Sequence, residues 1–242
     1  MKILYVCTAN ICRSPSAEFL ARDGAKSLSL PDFETRSAGV RVLVGTTGCD
    51  LAPALVNRSS SHHSRPLDAA AVDWADLVLT AERAHISQVI DLDPAKRPQT
   101  LTILQAGRIS RWLLGARMVE AGRGRAVEGP SWRSHFALDD PRGQVSPLNG
   151  NRDAWVLEEL DAARGLAGTG VDDIEDPHVL GPQLHPGVYR QIWDATNALV
   201  TLLKAASDPS SVYQEDTPAH SWRGHRSPPY AGGHERHRSI GT

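Results

Sequence analysis

The sequence of 242 residues has little of three features that would by themselves indicate a class of protein. Its three cysteines are too few, and of odd number, for a disulfide framework, so a reducing cytoplasm is expected. It has no apolar run near the roughly 18 residues that span a bilayer, and its first residues do not resemble a signal peptide. Its net charge is only −2, which argues against a nucleic-acid or polybasic membrane partner. The sequence therefore predicts a cytoplasmic protein that binds neither nucleic acid nor membrane.

Strand and helix patterns alternate along most of the chain. The opening run Lys2–Cys7 is almost continuously apolar, as in a strand buried on both faces of a parallel sheet. Ser14 and Pro15 are typical of the N-cap and first position of a helix. This alternation predicts an α/β fold, a parallel sheet with helices on both faces. Further strands are predicted at residues 33–38, 75–80 and 99–103, and helices at residues 69–72 and 84–90 and from about Pro186 onward.

Two regions interrupt this pattern. Residues 105–170 contain nine arginines and no lysine, with candidate helices at residues 108–120 and 152–164 separated by irregular sequence. Residues 207–242 contain no Leu, Phe or Met, so we predict a disordered tail, because its burial of apolar surface would not offset the entropy of ordering. The predicted organisation is one domain, residues 1–206, with an insertion at about 105–170, followed by the tail.

The loop between the first strand and the first helix contains the residues best suited to catalysis. Five residues between Cys7 and Arg13 can turn their backbone N–H groups inward as an anion-binding nest, and the following helix N-terminus favours the thiolate form of Cys7. The planar guanidinium group of Arg13 can bind two phosphate oxygens, and the Ser14 hydroxyl can hydrogen-bond to Cys7. Asn10 lies where the turn needs a left-handed residue. The predicted phosphate-binding residues are Thr8, Ala9, Asn10, Ile11, Cys12, Arg13 and Ser14.

This loop, read through to Pro15, resembles the N-terminal signature of the low-molecular-weight protein tyrosine phosphatases. Further matches are Ser37-Ala38-Gly39, His62 three residues before Arg65, and the run at residues 75–79. The resemblance covers residues 1–104 and roughly 171–206. It implies a four-stranded parallel sheet of flavodoxin-like type and hydrolysis of phosphomonoesters with no metal or other cofactor. The implied partners are a phosphorylated protein or a small phosphomonoester, with inorganic phosphate, sulfate or vanadate as ligands of the site.

The resemblance also implies a general acid in an Asp-Pro pair just before the last helix. Of the four Asp-Pro pairs in the chain, the one at Asp176 follows the family's order, and Asp140, inside the irregular region, is the alternative. In the implied mechanism, Cys7 attacks phosphorus while Asp176 protonates the leaving oxygen, and Asp176 then activates water to release phosphate. Arg13 and the loop amides bind the phosphate oxygens throughout.

Two supporting residues are implied as well. Ser37 and His62 match family residues that hydrogen-bond to the loop asparagine, here Asn10, and hold its strained backbone. The chain departs from the tyrosine-specific members at His178, where a large aromatic residue is frequent, and at residues 40–45, which contain no aromatic residue. This departure leaves the preference for phosphotyrosine open. The candidates for a missing aromatic wall are Trp112 and Trp132, although ordinary buried anchors are the simpler interpretation of both.

Other readings of the same loop stay open. The chain could be an arsenate reductase that uses a low-molecular-weight thiol, or a phosphate-binding protein without turnover. Cys12 could form a reversible disulfide with Cys7 that protects the nucleophile, or it could be a buried packing residue. No metal site is predicted, because the spacing of the four histidines in the tail matches no defined site.

Overall fold

The computed structural model of the protein describes residues 1–56, 59–120 and 151–207. Within them, four strands form a parallel sheet in the order β2-β1-β3-β4, which confirms the four-stranded parallel sheet expected from the sequence. Asp140, Trp132 and the predicted tail beyond Ser207 lie outside the described residues. The strands are β1 (Lys2–Cys7), β2 (Glu34–Gly39), β3 (Leu77–Thr80) and β4 (Thr100–Thr102).

Helix α1 begins at Arg13, two residues before the predicted first position at Pro15. Its N-cap is Cys12, with no side-chain capping bond, so Ser14 lies in the first turn and the prediction that it caps the helix is wrong. Among the described residues, no helix combines the length and the apolar character that crossing a membrane requires. The helices are α1 (Arg13–Ser27), α2 (Ala69–Trp74), α3 (Ala84–Leu92), α4 (Ile103–Glu120), α5 (Arg152–Ala162), α6 (Pro177–Leu180) and α7 (His185–Ser207).

The side chains of β1 alternate between two hydrophobic clusters, one on each face of the sheet. Ile3 and Tyr5 join the larger cluster with residues of α1, α4, α5 and α7, whereas Leu4 and Val6 join a smaller one with residues of α2 and α3. Every residue of β1 after Lys2 is buried, which explains its continuous apolar run. Helices therefore cover both faces of the sheet, as predicted.

Both ends of the predicted insertion belong to the hydrophobic core. Helix α4 buries Ile109 and Leu113, and α5 buries Val156 and Leu160, all in the larger cluster. Trp112, one of the two candidates for an aromatic wall, packs against the same cluster, as the simpler interpretation predicts. Within residues 105–170, the described parts thus complete the domain. The extent of an insertion between them stays a prediction.

The register of the strands brings the ends of β1, β2 and β3 to one edge of the sheet. Cys7 pairs with Gly39 at the end of β2, and Val6 pairs with Thr80 at the end of β3. The residues that follow β1, β2 and β3 therefore meet at the carboxyl edge, where open parallel sheets bind their ligands. This edge contains the predicted site.

Candidate active site

Cys7 is the last residue of β1, and it is almost completely buried, with 2% of its surface exposed. Its Sγ atom lies 3.0 Å from the Ser14 hydroxyl oxygen. Asn10 Nδ2 donates to that same oxygen over 3.0 Å, and this leaves the single hydroxyl hydrogen of Ser14 to donate either to Cys7 or to the carbonyl of Ala38. The arrangement can therefore stabilise negative charge on the sulfur, as the sequence predicts for Ser14.

Asn10 has the left-handed backbone that the sequence predicts, with φ of 54°, and it is fully buried. The Nε2 atom of His62 lies 2.7 Å from the Asn10 carbonyl oxygen, so the ring donates a hydrogen bond to the strained peptide. The Asn10 side-chain oxygen accepts from the backbone N–H of Arg65 at 2.9 Å. The segment that follows the 3₁₀ turn Ser59–Ser61 thus holds both the backbone and the side chain of Asn10.

Ser37 does not contact Asn10, so the second predicted supporting bond is wrong. Its hydroxyl donates to Glu18 Oε2 at 2.6 Å, because β2 carries Ser37 beside helix α1 rather than beneath the loop. Ser14 and the Arg65 amide satisfy the Asn10 side chain instead. The Arg65 contact is a backbone bond, and no residue type in the sequence could have indicated it.

Gly39 allows the loop to lie directly on the end of β2. A Cβ atom at Gly39 would approach the Thr8 carbonyl oxygen to 2.7 Å and the Asn10 nitrogen to 2.9 Å. The backbone after Gly39 is hydrogen-bonded to the loop, since Val40 N–H donates to the Cys7 carbonyl oxygen and Arg41 N–H donates to the Thr8 carbonyl oxygen. Any side chain at Gly39 would displace the loop that contains the nucleophile.

Arg13 lies at the centre of the charged part of the site, with its side chain only 2% exposed. Its Nη1 atom donates to the carbonyl of Ile174 at 2.8 Å and also contacts Glu82. Its Nη2 atom lies 3.1 Å from Thr8 Oγ1 and 2.5 Å from Asp176 Oδ2. Arg13 therefore joins the loop to the Asp-Pro segment, and the structure brings together three predicted residues, Cys7, Arg13 and Asp176.

Two polar residues near the loop, Glu82 and His85, were not predicted from the sequence. His85 Nε2 lies 3.1 Å from Thr8 Oγ1, and burial lowers the pKa of His85 below its ordinary value although Glu82 is close by. Both residues follow β3 directly, and the parallel topology places them at the same edge of the sheet as Cys7. Their position shortly after a predicted parallel strand could have indicated them, because residues that follow such a strand lie at the carboxyl edge of the sheet.

The segment before Asp176 is held in place by ion pairs and by a backbone hydrogen bond. Buried Asp172 accepts a hydrogen bond from Arg108 at 2.6 Å and forms an ion pair with Arg83. Burial alone would raise the pKa of Asp172, but the bonds to these two arginines hold that pKa below its ordinary value. Ile174 N–H donates to the Ala81 carbonyl at 2.8 Å. At the end of this segment, Asp176 caps α6 by accepting the His178 N–H at 3.0 Å.

Cys7 and Cys12 are both free thiols. Cys12 packs with Cys49, Ala52 and Leu55, as the packing interpretation predicts, and burial raises the pKa of the Cys12 thiol. The same two cysteines, together with His178 and His185, have ligand atoms that all lie within 4.8 Å of one another. This group is close enough to share a metal ion, and Cys7 is not one of its four members.

The parallel sheet and the Cys-x5-Arg loop define an α/β protein with the loop of cysteine-dependent phosphatases. Residues 2–105 match the family model described as low molecular weight phosphotyrosine protein phosphatase. The chain belongs to this family.

Individual relatives have different activities in their names. The low molecular weight protein-tyrosine-phosphatase Wzb of Salmonella typhi is 37% identical over 105 residues, 41% of this chain and 66% of Wzb, just under two thirds of its length. The protein-arginine-phosphatase of Geobacillus stearothermophilus is 32% identical over 107 residues, 43% of this chain and 70% of that protein. A solved structure of a YwlE mutant from Bacillus subtilis aligns with a TM-score of 0.52 at 19% identity, covering 84% of this chain and 99% of that one, which supports the fold.

Proposed function

We propose that the protein hydrolyses phosphomonoesters, with protein tyrosine phosphate as its substrate class, through a phosphocysteine intermediate on Cys7. The proposal depends on the position of Asp176. Its Oδ2 atom lies 2.5 Å from Nη2 of Arg13, the first residue of α1, which directly follows the Cys7 loop. A nucleophile, an anion-binding cation and a proton donor are thereby within one site, which satisfies the geometric requirement for this chemistry. The residues of the loop and Asp176 require no metal for it.

In the first step, the Cys7 thiolate attacks phosphorus opposite the leaving oxygen, and a P–S bond forms as the P–O bond breaks. Asp176 gives its proton to the leaving oxygen, because an unprotonated alkoxide or phenoxide would be a poor leaving group. Phosphate oxygens would take the guanidinium N–H groups of Arg13 that Asp176 now occupies, and this leaves the carboxyl group free to face the leaving oxygen.

In the second step, the Asp176 carboxylate takes a proton from water, and the resulting oxygen attacks phosphorus. The P–S bond breaks, inorganic phosphate leaves, and the Cys7 thiolate returns. The Ser14 hydroxyl, whose oxygen lies 3.0 Å from the sulfur, donates to the leaving thiolate and stabilises it. Once phosphate is bound, the loop amides and Arg13 stabilise the charge that develops in both steps.

The substrate class follows from the depth of the thiol and the character of the surrounding loops. Because Cys7 is buried, a long flat side chain such as phosphotyrosine reaches it more readily than phosphoserine. The loop after β2 and helix α6 carry exposed aliphatic residues in place of the missing aromatic ones, and these can pack against a substrate ring. These residues are Leu43, Val44, Val179 and Leu180.

Arginine phosphate is a second candidate, because a relative with 32% identity is named a protein-arginine-phosphatase. The carboxylates of Glu82 and Asp176 beside Arg13 could pair with a substrate guanidinium group, which a phenyl ring would not need. A cytoplasmic location is part of the proposal, since the nucleophile and two neighbouring cysteines are free thiols that need a reducing compartment.

The test is a panel of phosphotyrosine and phosphoarginine peptides, a phosphoserine peptide, a sugar phosphate, and arsenate with a low-molecular-weight thiol, run on the wild type and on Cys7→Ser. We expect turnover of the phosphotyrosine peptide by the wild type alone, with vanadate and phosphate binding retained by Cys7→Ser. If the wild type turns over phosphoarginine or arsenate in preference to phosphotyrosine, the proposed substrate class is wrong, whereas the role of Cys7 as nucleophile is retained. The absence of all turnover would leave a phosphate-binding protein and overturn the proposal.

A further inference from the structure

Two cysteines and two histidines converge beside the phosphate loop, although they are distant in sequence. They are Cys12 at the N-cap of α1, Cys49 between β2 and α2, His178 in α6, and His185 at the start of α7. Their four ligand atoms, one sulfur or nitrogen from each, all lie within 4.8 Å of one another. Three of the four residues are buried, and His178 is exposed.

The ring of His185 is already oriented as a metal ligand would be. Its Nδ1 atom lies 2.7 Å from the carbonyl oxygen of Pro182, so Nδ1 carries the hydrogen and Nε2 has its lone pair free. That Nε2 atom lies 3.3 Å from Cys49 Sγ. A backbone carbonyl that fixes the outer nitrogen is the usual support for a histidine that binds metal.

The remaining ligands are also held in place by their surroundings. Cys49 N–H donates to the Ile11 carbonyl at 2.7 Å, which attaches the Cys49 segment to the residue before Cys12. The His178 ring lies edge-on to the His185 ring, with centroids 5.2 Å apart. Ala52 and Leu55 complete the apolar surroundings of the two sulfur atoms. The thiols therefore have few other polar partners in the described part of the chain.

We propose that Cys12, Cys49, His178 and His185 form a tetrahedral Zn²⁺ site that is separate from the catalytic thiol. Two sulfur and two imidazole ligands are a usual set for structural zinc, with metal–sulfur bonds of about 2.3 Å and metal–nitrogen bonds of about 2.0 Å. Such a tetrahedron has ligand atoms roughly 3.3–3.8 Å apart. The four ligand atoms lie within 4.8 Å of one another, so binding an ion would draw them closer together. Exposed His178 closes the site last and leaves an entry path for the ion.

The binding step is an exchange of protons for metal and involves no oxidation. The S–H protons of Cys12 and Cys49 pass to solvent as two metal–sulfur bonds form, and both histidines bind as neutral rings. The bound ion would connect four chain segments that span residues 12 to 185. An ion that binds only the folded chain stabilises it in proportion to the logarithm of its concentration.

The experiment uses Co²⁺ as the probe in the reduced, metal-free, full-length protein, because four-coordinate Co²⁺ has visible absorption and a thiolate charge-transfer band. The four tail histidines, His220, His225, His234 and His237, are first changed to Asn in the full chain to remove adventitious ligands. We expect one Co²⁺ per chain with a thiolate band, displacement by Zn²⁺, and a higher melting temperature with either ion. Cys49→Ser and His185→Gln should each weaken binding by about 100-fold or more, since losing only a partner of a ligand costs 10–100-fold.

Two control variants make the result specific. Cys7→Ser removes the nucleophile and none of the four ligands, so it should bind Co²⁺ as the parent does, whatever its turnover. His63→Asn removes an exposed histidine that lies outside the cluster and should leave binding unchanged. The proposal is overturned if the parent shows no thiolate band at one equivalent of Co²⁺. Equal binding by the parent and Cys49→Ser would also overturn it.

Discussion

His62 donates from Nε2 to the carbonyl oxygen of Asn10 over 2.7 Å, and both residues are buried. This bond joins the segment before α2 to the one non-glycine residue of the Cys7 loop whose φ is positive, 54°. A left-handed backbone at a non-glycine residue costs of order 1–3 kcal/mol, so it persists only where neighbouring groups hold it. His62 therefore stabilises the loop backbone at Asn10, and its described hydrogen bond does not involve the Cys7 sulfur.

We expect His62→Ala to lower the free energy of unfolding by about 1–3 kcal/mol, because the Asn10 carbonyl would lose its buried partner. The loop amides would also be less well ordered, so kcat should fall more than KM rises. His63→Ala is the matched control, since His63 is exposed and should change neither quantity. Urea unfolding and steady-state kinetics measure both effects. Equal stability of the two variants would contradict the positioning role.

Asp176→Asn should lower kcat by about 100- to 10,000-fold for substrates with poor leaving groups, the usual contribution of a positioned proton donor. The loss should be much smaller for aryl phosphates with acidic phenols, since these leave without a proton. A plot of log kcat against the pKa of the leaving group measures this difference. Asp140→Asn is the matched control and should resemble the wild type. If Asp140→Asn shows the leaving-group dependence instead, the acid is Asp140.

Gly107 in α4 lies against α7, and Gly115 on the same helix does not. A Cβ atom at Gly107 would lie 2.5 Å from Ala195 Cα, whereas one at Gly115 would meet nothing within 4 Å. We expect Gly107→Ala to destabilise the fold by about 1–3 kcal/mol through overpacking. Gly115→Ala should stabilise it by about 0.5–1 kcal/mol, because alanine favours the helix. Thermal unfolding of the pair tests whether α4 belongs to the core; a tolerated Gly107→Ala would show that it does not.

Asp172→Asn should lower the free energy of unfolding at pH 7 by about 1.5–3 kcal/mol, the usual range for hydrogen bonds to a charged group. The pKa of Asp172 is depressed in the folded protein, so its contribution is complete above its unfolded pKa of about 3.9. The contribution is lost as the pH falls through the folded value. The difference from wild type should therefore shrink below about pH 4 in urea titrations. The control is Asp73→Asn, which removes an exposed carboxyl group and should change the free energy of unfolding little.

The fold was largely predictable because its signals are local. The apolar run of β1 and the buried positions of α7, such as Ile192 and Leu199, repeat with the periods of strand and helix. The insertion at residues 105–170 stays a prediction, although its two described ends pack in the larger hydrophobic cluster. Helix α4 has little contrast between its faces in sequence, yet it buries Ile109 against α7. Burial against a distant helix is a tertiary property, and local periodicity indicates it only weakly.

The candidate site divides in the same way. Cys7, Arg13 and Ser14 lie within eight residues, and the turn of the loop brings them together, so sequence alone could identify them. Ser37 is the first residue of the matching motif Ser37-Ala38-Gly39, but its hydroxyl donates to Glu18. The order of elements along the chain indicates which segment is near, whereas the partner of each side chain depends on the packing.

By itself the sequence determined the α/β fold class and the Cys7 loop with its left-handed Asn10, because both depend on residue type and spacing over short stretches. Asp176 is predicted as the acid from the order of elements that the family resemblance implies. Only the tertiary structure decided that the Arg65 amide binds the Asn10 side chain, and that Glu82 joins Arg13. It alone brought together Cys12, Cys49, His178 and His185. Parallel strands joined by helices bring distant loops to one edge of the sheet, and no local pattern encodes which side chains meet there.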